Sequence, residues 1–283
     1  MARLAPRQLD DSRDLVESFL RSQIHPCGAF ADRAGQPDVY YTVFGLEGLI
    51  ALHAEPPVDA IATYLRTLGD GAALDFVHLA CLARAWAGIS RHRDAPADAI
   101  LARVEQHRTP DGGFSQAPAS AHGTAYAAFL ALGAYQDLDR TLPHPERLLA
   151  SLTGLRATDG GYANMPGASA GVTTATAAAI ALQRQLGADP EPALAQWLLA
   201  RRLPSGGFFA LPGAPIPDLL STATALHALA GLQVPLDSLR EPCLDFIDSL
   251  WTNRGGFYGH WSDDAIDTEY TYYALLSLGH LAA

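Results

Sequence analysis

One short pattern constrains this chain more than any other: two glycines followed by an aromatic residue. It occurs as Gly112-Gly113-Phe114, Gly160-Gly161-Tyr162, Gly206-Gly207-Phe208 and Gly255-Gly256-Phe257, with a degenerate copy at Gly28-Ala29-Phe30. From Gly28 to Gly112 is 84 residues, and the following steps are 48, 46 and 49. The first step is close to twice the others, so one copy has lost its signature, and Gly69 and Gly71 mark where it lay. A glycine pair permits a backbone with positive φ, and the aromatic anchors the turn in apolar packing. Recurrence at this period means that the chain is built from stacked supersecondary units.

Between the turns, two kinds of helix alternate. Segments 9–23, 58–68, 96–107, 145–155, 190–202 and 236–251 carry apolar residues on one face only; in the first, Leu15, Val16, Phe19 and Leu20 oppose Arg13, Glu17 and Arg21. The partners begin at Asp38, Asp75, near His122, near Gly171, at Asp218 and at Asp267, and are apolar nearly all round. Helices apolar on every side belong inside, and one-faced helices belong around them. Six such pairs predict an all-α, α6/α6 toroid formed by a single domain over residues 1–283, with the glycine turns at one end. The similar openings Asp38-Val39-Tyr40-Tyr41-Thr42 and Asp267-Thr268-Glu269-Tyr270-Thr271 favour closure of first repeat on last.

Charge narrows the partners. The net charge is −11 and there is no lysine, all 19 basic residues being arginines, which argues against nucleic acid and anionic membrane surfaces. Cys27, Cys81 and Cys243 are widely separated, as suits reduced thiols, and Cys27 beside His25 lacks the further ligands a metal needs. The first residues lack an apolar leader, and no apolar run reaches spanning length, so a soluble cytoplasmic protein is expected.

The Gly-Gly-aromatic turns, the inner helices that follow them and the six-pair count resemble the superfamily of prenyltransferase β subunits and squalene–hopene cyclases, over nearly the whole chain. That resemblance implies a deep aromatic-lined cavity for an isoprenoid, whose burial is worth roughly 25 cal/mol per Å². It also implies a zinc site in the transferases, and this chain departs from it. Asp218 matches the family's aspartate, but Leu220 stands at the cysteine and Tyr270 at the histidine, so zinc is not expected. Residues 209–217 contain no Arg or His to cradle a diphosphate, although magnesium could accompany such a substrate. The cyclases' Asp-x-Asp-Asp motif is absent too, and the nearest acidic cluster is residues 263–269. Clustered carboxylates oppose each other's ionisation, so one can keep a proton and act as an acid.

The candidate catalytic residues are therefore Asp218, Asp267, Asp264 and His122. Candidates for contacting substrate are Tyr41, Phe44, Phe76, His78, Tyr126, Ser221, Trp261, Tyr270 and Tyr273, whose rings and hydroxyls lie near inner-helix starts. Plain structure explains the same residues: Asp38, Asp75, Asp218 and Asp267 as N-caps, the histidines as satisfied core groups, the aromatics as packing. Three readings stay open. The first is acid-initiated cyclisation or isomerisation of a polyprenyl substrate. The others are prenyl transfer by a β-like protein and a non-catalytic isoprenoid-binding protein or partner subunit.

Overall fold

A computed structural model describes residues 1–283. A helical turn, α1 (Pro6–Leu9), precedes six helix pairs. These are α2 (Arg13–Ser22) with α3 (Val39–Ala51), α4 (Val58–Leu68) with α5 (Phe76–Gly88), and α6 (Ala97–Glu105) with α7 (Ala125–Asp137). They continue as α8 (Pro145–Thr153) with α9 (Thr173–Gln185), α10 (Ala193–Leu199) with α11 (Leu219–Gly231), and α12 (Asp237–Asp248) with α13 (Thr268–Leu281). The only sheet is β1 (Phe30–Ala31) antiparallel to β2 (Pro37–Asp38), pairing Phe30 with Asp38.

The contacts divide the chain into two compact units. One comprises residues 1–26, 30–56 and 192–283, and the other residues 27–29 and 57–191. In the first, α13 packs between α3 and α11, while α2, α10 and α12 each pack on the inner helix of their own pair. First and last repeats are thus neighbours, as their matching openings imply. Its core includes Leu20, Leu46, Leu49, Phe208, Phe246 and Leu275. In the second unit α7 packs between α5 and α9, with α4, α6 and α8 on their partners and Trp86, Phe76, Phe114, Ile61 and Leu65 in the core.

The recurring turn has one construction. The residue six before each aromatic bridges it antiparallel: Ile24 to Phe30, Arg108 to Phe114, Arg156 to Tyr162, Arg202 to Phe208 and Trp251 to Phe257. The aromatic's backbone N–H then reaches into the next inner helix, where it donates to the hydroxyl of Thr42, Thr176, Thr222 or Thr271. In three repeats that hydroxyl also donates back to the carbonyl of the capping aspartate, Asp38, Asp218 or Asp267. These threonines are fully buried, so each polar group there has its partner. The first glycine of the pair is needed for conformation and for space. Gly206 has φ 108°, and a Cβ there would strike the carbonyl of Pro242 in α12. Gly255 has φ 90°, and a Cβ there would strike the carbonyl of Leu15 in α2, which joins the last turn to the first outer helix.

The sequence-derived boundaries differ from the structure in two respects. Segment 9–23 is interrupted because Asp10 has φ 43°, so residues 10–12 form a 3-10 turn before α2. The third and fourth inner helices start slightly later than expected, at Ala125 and Thr173, because Thr124 caps the former and His122 stays in the loop. Gly206→Ala should lower unfolding stability by about 2–4 kcal/mol, combining backbone strain with collision against a helix backbone. Gly213, at φ 79° but with open space around its α-carbon, should lose only about 1 kcal/mol on the same substitution. Thermal or urea unfolding of the two variants measures the difference.

Candidate active site

Within the first unit the starts of α3, α11 and α13 carry a concentration of carboxyl groups. Asp38, Asp218 and Asp267 have extended backbones and cap these helices, accepting from the N–H of Tyr41, Ser221 and Tyr270 at 3.0, 2.7 and 2.8 Å. Asp218 also accepts from the Ser221 hydroxyl at 2.7 Å. Asp267 is 4% exposed, and its second oxygen takes the Arg33 Nε–H at 2.7 Å. The two Nη groups of Arg33 turn to Asp263 at 3.2 and 3.0 Å, so one guanidinium serves two carboxylates of the last repeat. Arg33 lies in the first repeat's loop and sits 5.6 Å above the Tyr270 ring.

Glu269, two residues beyond the cap of α13, has a different environment. Its one side-chain hydrogen bond in this arrangement comes from the Tyr40 hydroxyl, 2.7 Å from Oε1. Tyr40 lies edge-on to Tyr41 and Phe44, at 5.6 and 4.9 Å between ring centroids, and Phe44 meets Tyr272 and Tyr273 at 5.9 and 5.4 Å. Tyr270 approaches Tyr273 at 6.5 Å. These rings are half-buried, so part of each is open to an approaching molecule.

Electrostatics separates the acids. Burial raises Asp267 and Asp218 above the ordinary aspartate value, against hydrogen bonds that favour their charged forms. Asp263 ends below the ordinary value, because its bonds to Arg33 and the Gly259 N–H outweigh burial. Glu269 is pushed from 4.5 to about 7, chiefly by burial and further by the charge of Asp267, with Tyr40 and Arg33 opposing. Burial and the neighbouring carboxylates also push the Tyr41 and Tyr270 phenols up to about 12, which keeps both protonated. Of these groups, Glu269 is the one poised to exchange a proton near neutrality.

The sequence pattern of the prenyltransferase alpha-alpha toroid domain matches residues 4–67, 73–209 and 183–282. The chain belongs to that family. Solved structures share its α/α-toroid fold at low sequence identity. Protein geranylgeranyltransferase-I of Candida albicans, solved with GGPP, aligns with TM-score 0.72 at 14% identity over 94% of this chain and 90% of that one. A type II terpene cyclase from Scytonema aligns with TM-score 0.64 at 12% identity over 98% of both chains, and a variant of it was solved with geranylgeranyl dihydroxybenzoate. A protein from Actinoplanes aligns with TM-score 0.62 at 14% identity over 96% and 99% of the two chains. No curated protein sequence matches the chain. No helix is long and apolar enough to cross a membrane.

In this toroid-family chain the residues at the transferase zinc positions do not form a donor set. Leu220 and Tyr270 replace two ligands, and the carboxylate of Asp218 is engaged by Ser221. Of the residues expected from sequence, Asp218, Asp267, Tyr41, Phe44, Ser221, Tyr270 and Tyr273 gather at this group of helix starts. Asp264 is exposed in the preceding loop, and Trp261 is 49% exposed, donating to Ser249 and meeting Phe246 edge-on. Four expected residues belong to the other unit. His78 bonds the Asp75 cap through its ring at 2.8 Å, exposed His122 lies 3.7 Å from Asp111, and the Tyr126 N–H donates to Asn164. Phe76 is 1% exposed against Phe114 and His107, so its ring is core packing and not open lining.

Sequence reasoning did not single out Glu269, Arg33 or Asp263 as site residues. Glu269 lay within the noted acidic run but had no distinguishing signal beyond its place two residues after a cap. Arg33 is 234 residues from Asp267, and nothing local to it announces the pairing. A concavity of about 250 Å³ elsewhere in the unit, lined by Leu9, Ile247, Trp251, Phe257 and Leu278 among others, includes none of the carboxyl groups described above.

Because folding raises Glu269 above its unfolded value, the stability from its protonated form is present below pH 4.5 and lost as pH rises through about 7. Glu269→Gln has no such titration. Relative to wild type, the variant should therefore gain stability between pH 5 and pH 8, by on the order of 1–3 kcal/mol, as read from unfolding curves at both values.

Proposed function

We propose that this protein is an isoprenoid-processing enzyme that starts a cyclisation or isomerisation by protonating its substrate from Glu269. The observation that carries the reading is a carboxyl group raised to about 7 and hydrogen-bonded to Tyr40, whose ring adjoins Phe44 and, through Phe44, Tyr272 and Tyr273. Of the aspartates anticipated for this role, Asp267 is committed to Arg33 and to capping α13, and Asp218 to Ser221. Both are better placed to hold the site than to release a proton.

The chemistry follows from these groups. The Glu269 O–H gives its proton to a terminal alkene of a polyprenyl chain, leaving a tertiary carbocation. A neighbouring double bond supplies the electron pair for each new C–C bond, and the cation moves along the chain. Loss of one proton ends the sequence, so the product is an isomer of the substrate and no oxidant or reductant takes part. The electron-rich faces of the aromatic rings stabilise the migrating charge. The Tyr40 hydroxyl stabilises the carboxylate that remains after donation. Membership of the toroid family and the likeness to a type II terpene cyclase support an isoprenoid substrate.

The test uses linear polyprenes and polyprenyl alcohols with product analysis by mass spectrometry. Wild-type turnover should fall as pH rises through about 7, because the active form is protonated Glu269. Glu269→Gln should lower turnover by at least ~10²-fold while retaining substrate binding. A Glu269→Gln variant that turns over normally removes the donor assignment. Binding without conversion by wild type, at any pH, points instead to a carrier or partner subunit.

A further inference from the structure

The charge distribution around the same helix starts bears on the substrate's polar end. We infer that the site accepts an isoprenoid whose head is uncharged or cationic and discriminates against polyprenyl diphosphates. This rests on the isoprenoid reading above.

Arg33 is the arginine at these helix starts, and its charge is already matched. Its Nε faces Asp267, and both Nη groups face Asp263. Asp38 and Asp218 cap the adjoining helices, Glu269 lies just inside, and Asp264 is on the preceding loop. His260 lies near enough to Asp218 to favour its charge, and its Nδ1 accepts from the Ser262 N–H. A diphosphate entering here would approach several carboxylates and would have to displace one of them to reach the guanidinium. Like charges brought together in a partly desolvated site repel more strongly than they do in water.

A metal ion is the other route by which a diphosphate enters, and the two aspartates bridged by Arg33 are already engaged. One Asp267 oxygen accepts from the Tyr270 N–H and the other from Arg33. Both Asp263 oxygens accept from Arg33, and one also accepts from the Gly259 N–H. An amine or alcohol meets the opposite situation. The net negative charge of the helix starts and the open aromatic faces attract an ammonium group, and a hydroxyl carries no charge for the carboxylates to repel.

The experiment compares a polyprenyl alcohol, amine and diphosphate of one chain length, by equilibrium titration of the protein's intrinsic fluorescence. It is run on wild type at low and high salt, with and without Mg²⁺. The alcohol and amine should bind at least ~10-fold more tightly than the diphosphate at low salt. The gap should narrow at high salt, because screening weakens the repulsion. Asp264→Asn, which removes an exposed negative charge outside the hydrogen-bonded cluster, should narrow it modestly. Diphosphate binding equal to or tighter than the alcohol's, in either metal condition, overturns the inference. Failure of all three ligands to bind removes it together with the isoprenoid assignment. The stated preference without any turnover upholds it and removes only the catalytic reading.

Discussion

Three buried hydroxyls, those of Thr42, Thr222 and Thr271, hold the inner helices of the first unit to their loops. Each accepts the N–H of a loop aromatic and donates to the carbonyl of the aspartate that caps its own helix. The loop backbone would otherwise bury an unmatched donor, which costs about 1–3 kcal/mol. Because the hydroxyl is satisfied in both directions, the turn, the cap and the first helical turn take a single register. The glycine before the aromatic then lets the turn lie against an outer-helix backbone, closer than any side chain would allow. Everything at the helix starts depends on this arrangement.

The carboxyl groups there consequently have two duties. Capping brings Asp38, Asp218 and Asp267 to the ends of three inner helices and satisfies N–H groups that no helix can satisfy internally. So many acids close together are unfavourable, and Arg33 offsets part of the cost by bridging Asp263 and Asp267. Glu269 lies outside that bridge. With the Tyr40 phenol as its hydrogen-bond partner, it is pushed by burial up to about 7. A structural solution to helix capping thus leaves Glu269 pushed up to about 7, and the proposed chemistry depends on that residue.

Much of the architecture could be read from residue order. The inner helices begin at or within a few residues of the expected positions, because an apolar run on every side and, at four of the six, an aspartate cap leave a strong local signal. The irregularities were invisible for equally local reasons: the left-handed Asp10 is no glycine, and Thr124 caps its helix two residues after His122, the residue that drew notice. The site was legible in part. Asp267, Asp218 and the tyrosines announced themselves through spacing, whereas Phe76 looked the same as they did and proved to be core.

By itself, then, the sequence determined the repeat, the alternation of one-faced and all-apolar helices and the aspartate caps, since each depends on residues within a turn or two of one another. It also puts Leu220 and Tyr270 where the family resemblance expects zinc donors, which is a matter of residue type alone. Tertiary structure decided that Glu269 is the carboxyl group pushed up to about 7. That property depends on desolvation and on Arg33 and Tyr40 arriving from the opposite end of the chain, more than 220 residues away. Acidity reports the surroundings of a group in space, and a residue's neighbours in sequence do not specify those surroundings.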